Sequence, residues 1–241
     1  MYTKDSSTDQ MSEKDILPEW DLSDLYKGIS DSAIDNDLDH IELSARQFST
    51  KYQKGLIKIT GAEFATAIKM YEKLNEALSK ISSFAQLQLA ANTLDTNVSK
   101  FWQDINERTT LVSALILFFE LEINRIEDKA LFKLLESPEV IDYKPWIDAV
   151  RRFRPYQLND DLEKLIHEKS VAGKLAWSRL FDETMSGLRF VIGGKGYNSN
   201  EVVSMMSDKS SFIRKNAAKA FGQELGKNIR LFSLITNTLA K

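Results

Sequence analysis

The chain has 241 residues, of which 43% are hydrophobic and 28% charged, so it can bury a substantial core and is too apolar for a disordered protein. Its charges nearly balance at a net charge of −3, which excludes a strong overall attraction to nucleic acid or to an anionic membrane. The absence of cysteine excludes disulfides, thiolate nucleophiles and cysteine-ligated zinc, and agrees with a reducing cytoplasm.

The beginning of the chain carries no targeting signal that we can identify. Residues 1–16 are polar and acidic, which predicts a disordered, solvated tail and not a secretory signal. Residues 17–28 (LPEWDLSDLYKG) mix proline, tryptophan and acids without a period, which predicts an irregular strap on the core. Four side chains of the strap are expected to dock there: Trp20, Leu22, Leu25 and Tyr26.

Three long helices are predicted next. The first carries apolar residues at steps of three or four, which form one stripe: Ile34, Leu38, Ile41, Ala45, Phe48 and Tyr52. Thr60 and Glu63 form a capping-box pair at the start of the second helix, which is expected to end near Asn92. The third is predicted from about Val98 to Ile126.

The second half of the third helix is apolar nearly all round, which predicts the centre of a helical bundle. Its most apolar run, LVSALILFFELEI from Leu111, contains Glu120 and Glu122. The run is also shorter than the roughly 20 apolar residues of a membrane span, so we expect no membrane protein.

Shorter helices follow. Asp128 is expected to cap one that Pro138 ends, and Pro145 suits the first turn of another. Pro155 is expected to end that helix, and Asn159 to cap the next one.

A β-hairpin is predicted near the end of the chain. Residues 188–192 favour a strand, the glycine-rich run 193–196 a turn, and Tyr197 begins the return. Asn198 and Glu201 form a second capping pair, and the remainder reads as helix.

The apolar pattern of the last helix continues up to Lys241, and no glycine or proline ends the helix there. We therefore expect a truncated chain that leaves Phe232, Ile235 and Leu239 uncovered and prone to self-association.

The only His-Glu pair, His167-Glu168 in LIHEKSVAG, is not a zinc motif. Helix-borne zinc sites use His-Glu-x-x-His, because residues four apart share a helix face, and here Val171 stands at the second position. The other histidine, His40, matches no metal spacing. The two histidines could still converge in space to form a metal site, and this alternative is left open. For His167 we favour a structural role, either as a helix-surface residue or as a hydrogen-bonding residue at a helix contact.

Other catalytic patterns are missing from the sequence. It contains no Gly-x-Ser-x-Gly elbow, and GGKG (193–196) lacks the spacing of a phosphate loop. The basic run RRFRP (151–155) could contact nucleic acid through Arg151, Arg152 and Arg154. Nearby acids favour internal ion pairs instead: Asp148, Asp160, Asp161 and Glu163. We therefore predict no catalytic, cofactor-binding or metal-binding residue in this chain.

Several long stretches nevertheless resemble oligoendopeptidase F, a bacterial family of zinc metallopeptidases in the clan of thimet oligopeptidase. They are LPEWDLSDLY (17–26), FFELEINRI (118–126), PWIDAVRRFRPYQL (145–158), LIHEKSVAGKLAWSRLFDETM (165–185) and IRLFSLITNTLAK (229–241). These stretches occur in the same order as in the family, and the resemblance extends from Leu17 to the last residue.

The resemblance implies a cytoplasmic, mostly α-helical enzyme that binds zinc and hydrolyses short peptides in a channel between two lobes. The family's His-Glu-x-x-His, whose glutamate activates the zinc-bound water, matches no position here. The chain is then expected to form a wall of the channel, to bind no zinc and to be inactive alone. A C-terminal catalytic half is a conceivable partner, and neither nucleic acid nor membrane is expected.

The domain prediction follows from the same resemblance. Residues 17–186 are expected to form the N-terminal helical lobe, a multi-helix bundle, and residues 187–241 the hairpin and first helices of a catalytic region that is truncated before the zinc helix. The alternative is a stand-alone helical peptide-binding or scaffold module, left from a split or decayed peptidase gene.

Overall fold

The computed structural model describes residues 20–240, and the predicted tail 1–16 lies outside this range. Within the range the chain forms eleven α-helices and one two-stranded antiparallel hairpin. Their bounds are α1 (Ser32–Tyr52), α2 (Gly61–Ala91), α3 (Thr96–Ile116), α4 (Phe118–Arg125), α5 (Asp128–Leu135), α6 (Lys144–Arg151), α7 (Asp160–Lys169), α8 (Lys174–Gly187), β1 (Phe190–Ile192), β2 (Lys195–Tyr197), α9 (Ser199–Met205), α10 (Ser211–Lys227) and α11 (Ile229–Leu239). The predicted fold, mostly α with one short hairpin, is confirmed.

Helices α1, α2 and α3 pack against one another and form the main core. The six stripe residues of α1 are all buried, as their spacing predicts. The capping box of Thr60 and Glu63 starts α2, where each side chain bonds the backbone N–H of the other residue. Asn92 ends α2, also as predicted.

The predicted third helix is interrupted at Leu117, so it forms α3 and α4 instead of one continuous element. Leu117 keeps helical dihedral angles. The hydrogen bond from the Leu121 N–H to the Leu117 carbonyl is long, at 3.5 Å, so the helical hydrogen bonding is disturbed only locally. Phe119 and Ile123 of α4 are fully buried, which confirms that this segment lies at the centre of the bundle.

An aromatic cluster fills the space around α4. Phe119 contacts Phe48, Tyr71 and Trp146, with ring centroids 5.2, 5.0 and 6.4 Å apart. The Tyr71 hydroxyl donates to the Glu120 carboxylate at 2.9 Å. Burial, together with the Glu120 charge, raises the pKa of that hydroxyl above its usual range, so Tyr71 stays neutral beside the carboxylate.

The strap prediction is correct for three residues and wrong for one. Tyr26 is buried, and Leu22 and Leu25 pack on the main core. Trp20 is 86% exposed among the described residues, so its indole does not dock. Tyr26 is held by its hydroxyl, which donates to Asp37 at 2.7 Å, and by the Lys80 ammonium over its ring.

A second, smaller core lies at the hairpin. Phe190 of β1 stacks on Phe221 of α10 with ring centroids 5.1 Å apart, and Val202 and Ala217 are buried beside them. The turn is shorter than predicted: it consists of Gly193 and Gly194, whose positive φ angles of 60° and 84° suit a two-residue hairpin loop, and the return strand begins at Lys195, not at Tyr197. The predicted capping box of Asn198 and Glu201 starts α9.

The expectation for the last helix is wrong in part. Ile235 is only 1% exposed, and Phe232 packs on the second core and against Phe181. Helix α11 lies along α8, which covers the side that we expected to be bare. Only Leu239 of the three named residues is exposed.

Candidate functional site

The segment with the longest resemblance, residues 165–185, forms α7, a short turn and α8 on the outside of the bundle. Asn159 caps α7 through the Leu162 N–H at 2.9 Å, as predicted. The helix ends at Lys169, and Ser170 stands at its C-terminus. Neither α7 nor α8 contains a fully buried residue, so both lie at a surface of the described protein.

His167 makes a hydrogen bond at a helix contact. Its Nε2 lies 2.6 Å from the Oγ of Ser113 on α3. The Ser113 hydroxyl also lies 3.0 Å from the Thr110 carbonyl oxygen, so Ser113 links the imidazole to the backbone of α3. The interpretation of His167 as a residue hydrogen-bonded at a helix contact is confirmed.

The two histidines lie on different helices, His40 on α1 and His167 on α7. His40 lies exposed on α1, and within residues 20–240 no group of three or more His, Asp or Glu side chains is placed to hold a metal ion. Val171 also lies beyond the end of α7, so the spacing of a zinc helix is missing in space as well as in sequence. The described residues around His167 therefore do not fit the zinc ion that the family resemblance implies.

Arg151 and Arg154 of the basic run form internal ion pairs, although not with the acids that we predicted. Both contact Asp128, with N–O distances of 2.5 and 3.1 Å. Asp128 was expected to cap α5, but it is the first residue of that helix, and its carboxylate faces the arginines instead. Arg151 also donates to the Ile123 and Ile126 carbonyls. Among the acids that we named, Asp160 pairs with Arg125.

Helix α8 is attached to α3 by a group of side chains that we did not identify from the sequence. Arg179 donates to Gln103 at 2.5 Å, and its guanidinium lies 5.6 Å from the Trp102 ring centroid. The Trp102 indole N–H donates in turn to Gln86 on α2 at 3.0 Å. Arg179 and Gln103 are 76 residues apart in sequence, and no local pattern indicates such a contact.

Known proteins resemble this chain over these elements. A family model described as Oligopeptidase F matches residues 122–190, which run from α4 to β1. Over 210 residues the chain is 25% identical to a protein named oligoendopeptidase F homolog from Borreliella burgdorferi. Its fold matches the crystal structure of oligoendopeptidase-F from Enterococcus faecium with a TM-score of 0.69 and 17% identity.

The resemblance to the N-terminal part of oligoendopeptidase F is confirmed. The match to the Enterococcus structure covers 86% of this chain and 41% of the Enterococcus chain. Because the sequence identity is low, this match shows a shared fold. The match to the Borreliella protein takes in 87% of this chain and 35% of that protein. The chain therefore spans about a third of the length of the curated relative.

From Trp20 to Ala240, none of the helices combines the length and the apolar character that a bilayer crossing demands.

Proposed function

We propose that the chain is the N-terminal, channel-forming part of a zinc-dependent oligoendopeptidase that hydrolyses short peptides, and that it is inactive alone. The observation that carries this proposal is the fold match to oligoendopeptidase-F, which covers 86% of the chain, together with the family-model match at residues 122–190. The role of channel wall is assigned to the outer surface of α8, which lies in that matched segment.

The proposal assigns the chemistry to residues outside this chain. Metallopeptidases of the His-Glu-x-x-His type need two imidazoles on one helix face and a carboxylate that takes a proton from the metal-bound water. In this chain the Nε2 of His167 is bonded to Ser113, and the nearby Glu168 carboxylate lies 3.7 Å from the Lys164 ammonium. A catalytic half with the missing motif is the proposed partner, and the lack of cysteine supports a cytoplasmic location.

Peptide hydrolysis by the purified chain tests the proposal of inactivity. The chain is incubated with an internally quenched peptide and zinc, with Enterococcus faecium oligoendopeptidase-F as the positive control. We expect no fluorescence gain over buffer. Hydrolysis that a chelator stops and that His167→Ala abolishes would overturn the proposal, because it would place a working site in this chain.

The gene tests the proposal of a larger enzyme. We expect the DNA after the codon for Lys241, or a neighbouring gene, to encode His-Glu-x-x-His. A genome without that motif would favour the alternative, a stand-alone peptide-binding or scaffold module. Fluorescence anisotropy with a labelled short peptide then separates those two roles, since only the binding module raises the anisotropy.

A further inference from the structure

Helix α7 contacts the bundle through its polar side. His167 bonds Ser113 of α3, and Asp160 pairs with Arg125 of α4. Lys164 lies over a shallow cavity of about 280 Å³ that Val112 and Leu115 help to line. The residues of α7 that face inward are therefore charged or polar.

The apolar residues of α7 face outward. Leu162, Leu165 and Ile166 are 43%, 49% and 56% exposed, although their spacing places them on one face of the helix. The apolar stripe of α1, with the same kind of spacing, is buried completely. An amphipathic helix normally buries its apolar side, whereas the described protein leaves this apolar surface of α7 about half exposed.

Charged residues flank this surface in a self-complementary order. Asp161 lies four residues before Leu165 and Lys169 four residues after it, so the three form one row along the helix. Both charged side chains are exposed, and neither forms an ion pair with another described residue. A rotation of the row by 180° about an axis that passes through Leu165, perpendicular to the helix, exchanges the positions of Asp161 and Lys169.

We propose that α7 binds the α7 of a second copy of the chain, in an antiparallel pair with a two-fold axis at Leu165. This arrangement packs Leu162, Leu165 and Ile166 against their symmetry mates. It places Asp161 of each protomer opposite Lys169 of the other, and opposed helix dipoles also favour it.

A second copy fits the surface better than an unrelated apolar partner. The row has an acid at one end, leucine in the middle and a base at the other end. When two copies of the row pair in antiparallel orientation, each acid lies opposite a base, so both charges are paired. The contact is only about 15 Å long, because α7 has ten residues, so a weak, reversible dimer results. The proposal does not depend on the peptidase assignment.

Sedimentation velocity of the purified chain, up to about 1 mM, tests for the dimer, since even weak complexes form at that concentration. We expect a concentration-dependent dimer that Leu165→Glu weakens at least about tenfold. The matched control is Phe132→Glu, which changes an equally apolar, 65% exposed residue on α5 and leaves the dimer unchanged. Circular dichroism verifies that each variant is folded. A monomer at every concentration, or a dimer that resists Leu165→Glu, overturns the proposal.

A charge exchange tests the antiparallel orientation. Asp161→Lys and Lys169→Glu each place like charges opposite one another, and each is expected to weaken the dimer by about threefold to tenfold. The double variant restores opposite charges and recovers the affinity of the unmodified chain. A double variant as weak as the two single variants combined would refute the pairing of Asp161 with Lys169.

Discussion

Two glycines at helical positions have opposite surroundings. A Cβ at Gly61, the first residue of α2, would lie 2.2 Å from the Ser137 Cβ and 3.0 Å from the Leu134 carbonyl oxygen. A Cβ at Gly222, within α10, would meet nothing within 4 Å. The absent side chain thus permits close packing at Gly61, whereas at Gly222 it only lowers helix propensity.

Alanine substitutions at these glycines should therefore shift stability in opposite directions. We expect Gly61→Ala to destabilise the protein by about 1 to 3 kcal/mol through overpacking. Gly222→Ala should stabilise it by about 0.5 to 1 kcal/mol, because alanine is the better helix former. Urea denaturation measures both, and shifts of the same sign would contradict the assignment.

Arg151 joins three elements of the fold. Its guanidinium binds the carbonyls of Ile123 and Ile126, at the end of α4, at 2.7 and 2.9 Å, and it pairs with Asp128 of α5. The last carbonyls of a helix have no partner within the helix, so Arg151 of α6 satisfies groups that would otherwise be unpaired. Its side chain is only 12% exposed, which limits competition from water.

Replacement of Arg151 should therefore cost stability, whereas replacement of its neighbour should not. Arg151→Met keeps much of the side-chain stem, and we expect it to destabilise the protein by about 1 to 3 kcal/mol. Arg152→Met is the control, since the Arg152 side chain is exposed and makes no hydrogen bond with another described residue. Thermal unfolding by circular dichroism compares them, and equal losses would show that the loss of positive charge alone is responsible.

Local patterns explain why much of the helical structure could be predicted. The stripe of α1 and the capping box at Thr60 are set by residues three or four apart, so the sequence alone reveals them. The bond between Ser113 and His167 joins residues 54 positions apart, and the partner of Arg151 is likewise distant in sequence. Such pairs depend on how helices pack, so the sequence indicated the kind of contact but not the partner.

Residues 20–240 form two separate hydrophobic cores. The main core gathers residues from the strap to α6, whereas Leu188, Phe190, Val202 and Ala217 form the second. The first is large and the second has few fully buried members, so we expect the second to open more readily. The boundary between residues 17–186 and 187–241 stays a prediction, because α8 lies before it and yet packs on α11 and places Met185 against the second core.

Hydrogen exchange can separate the two cores. Phe190→Ala removes a buried ring, at a typical cost of about 3 to 5 kcal/mol, and should accelerate amide exchange in the hairpin and α10 while α1–α3 stay protected. Val191→Ala is the control on the exposed side of the same strand. Equal loss of protection in α1–α3 would show that both cores unfold as one unit.

The position where α7 ends has a consequence for protein engineering. Helix α7 stops at Lys169, two residues before Val171, and His167 is already bonded to Ser113. Val171→His would complete the sequence motif His-Glu-x-x-His in this chain. The new imidazole would lie outside the helix, however, and the Nε2 of His167 is hydrogen-bonded to Ser113. A signature search would then report an enzyme where the backbone provides no metal-binding face.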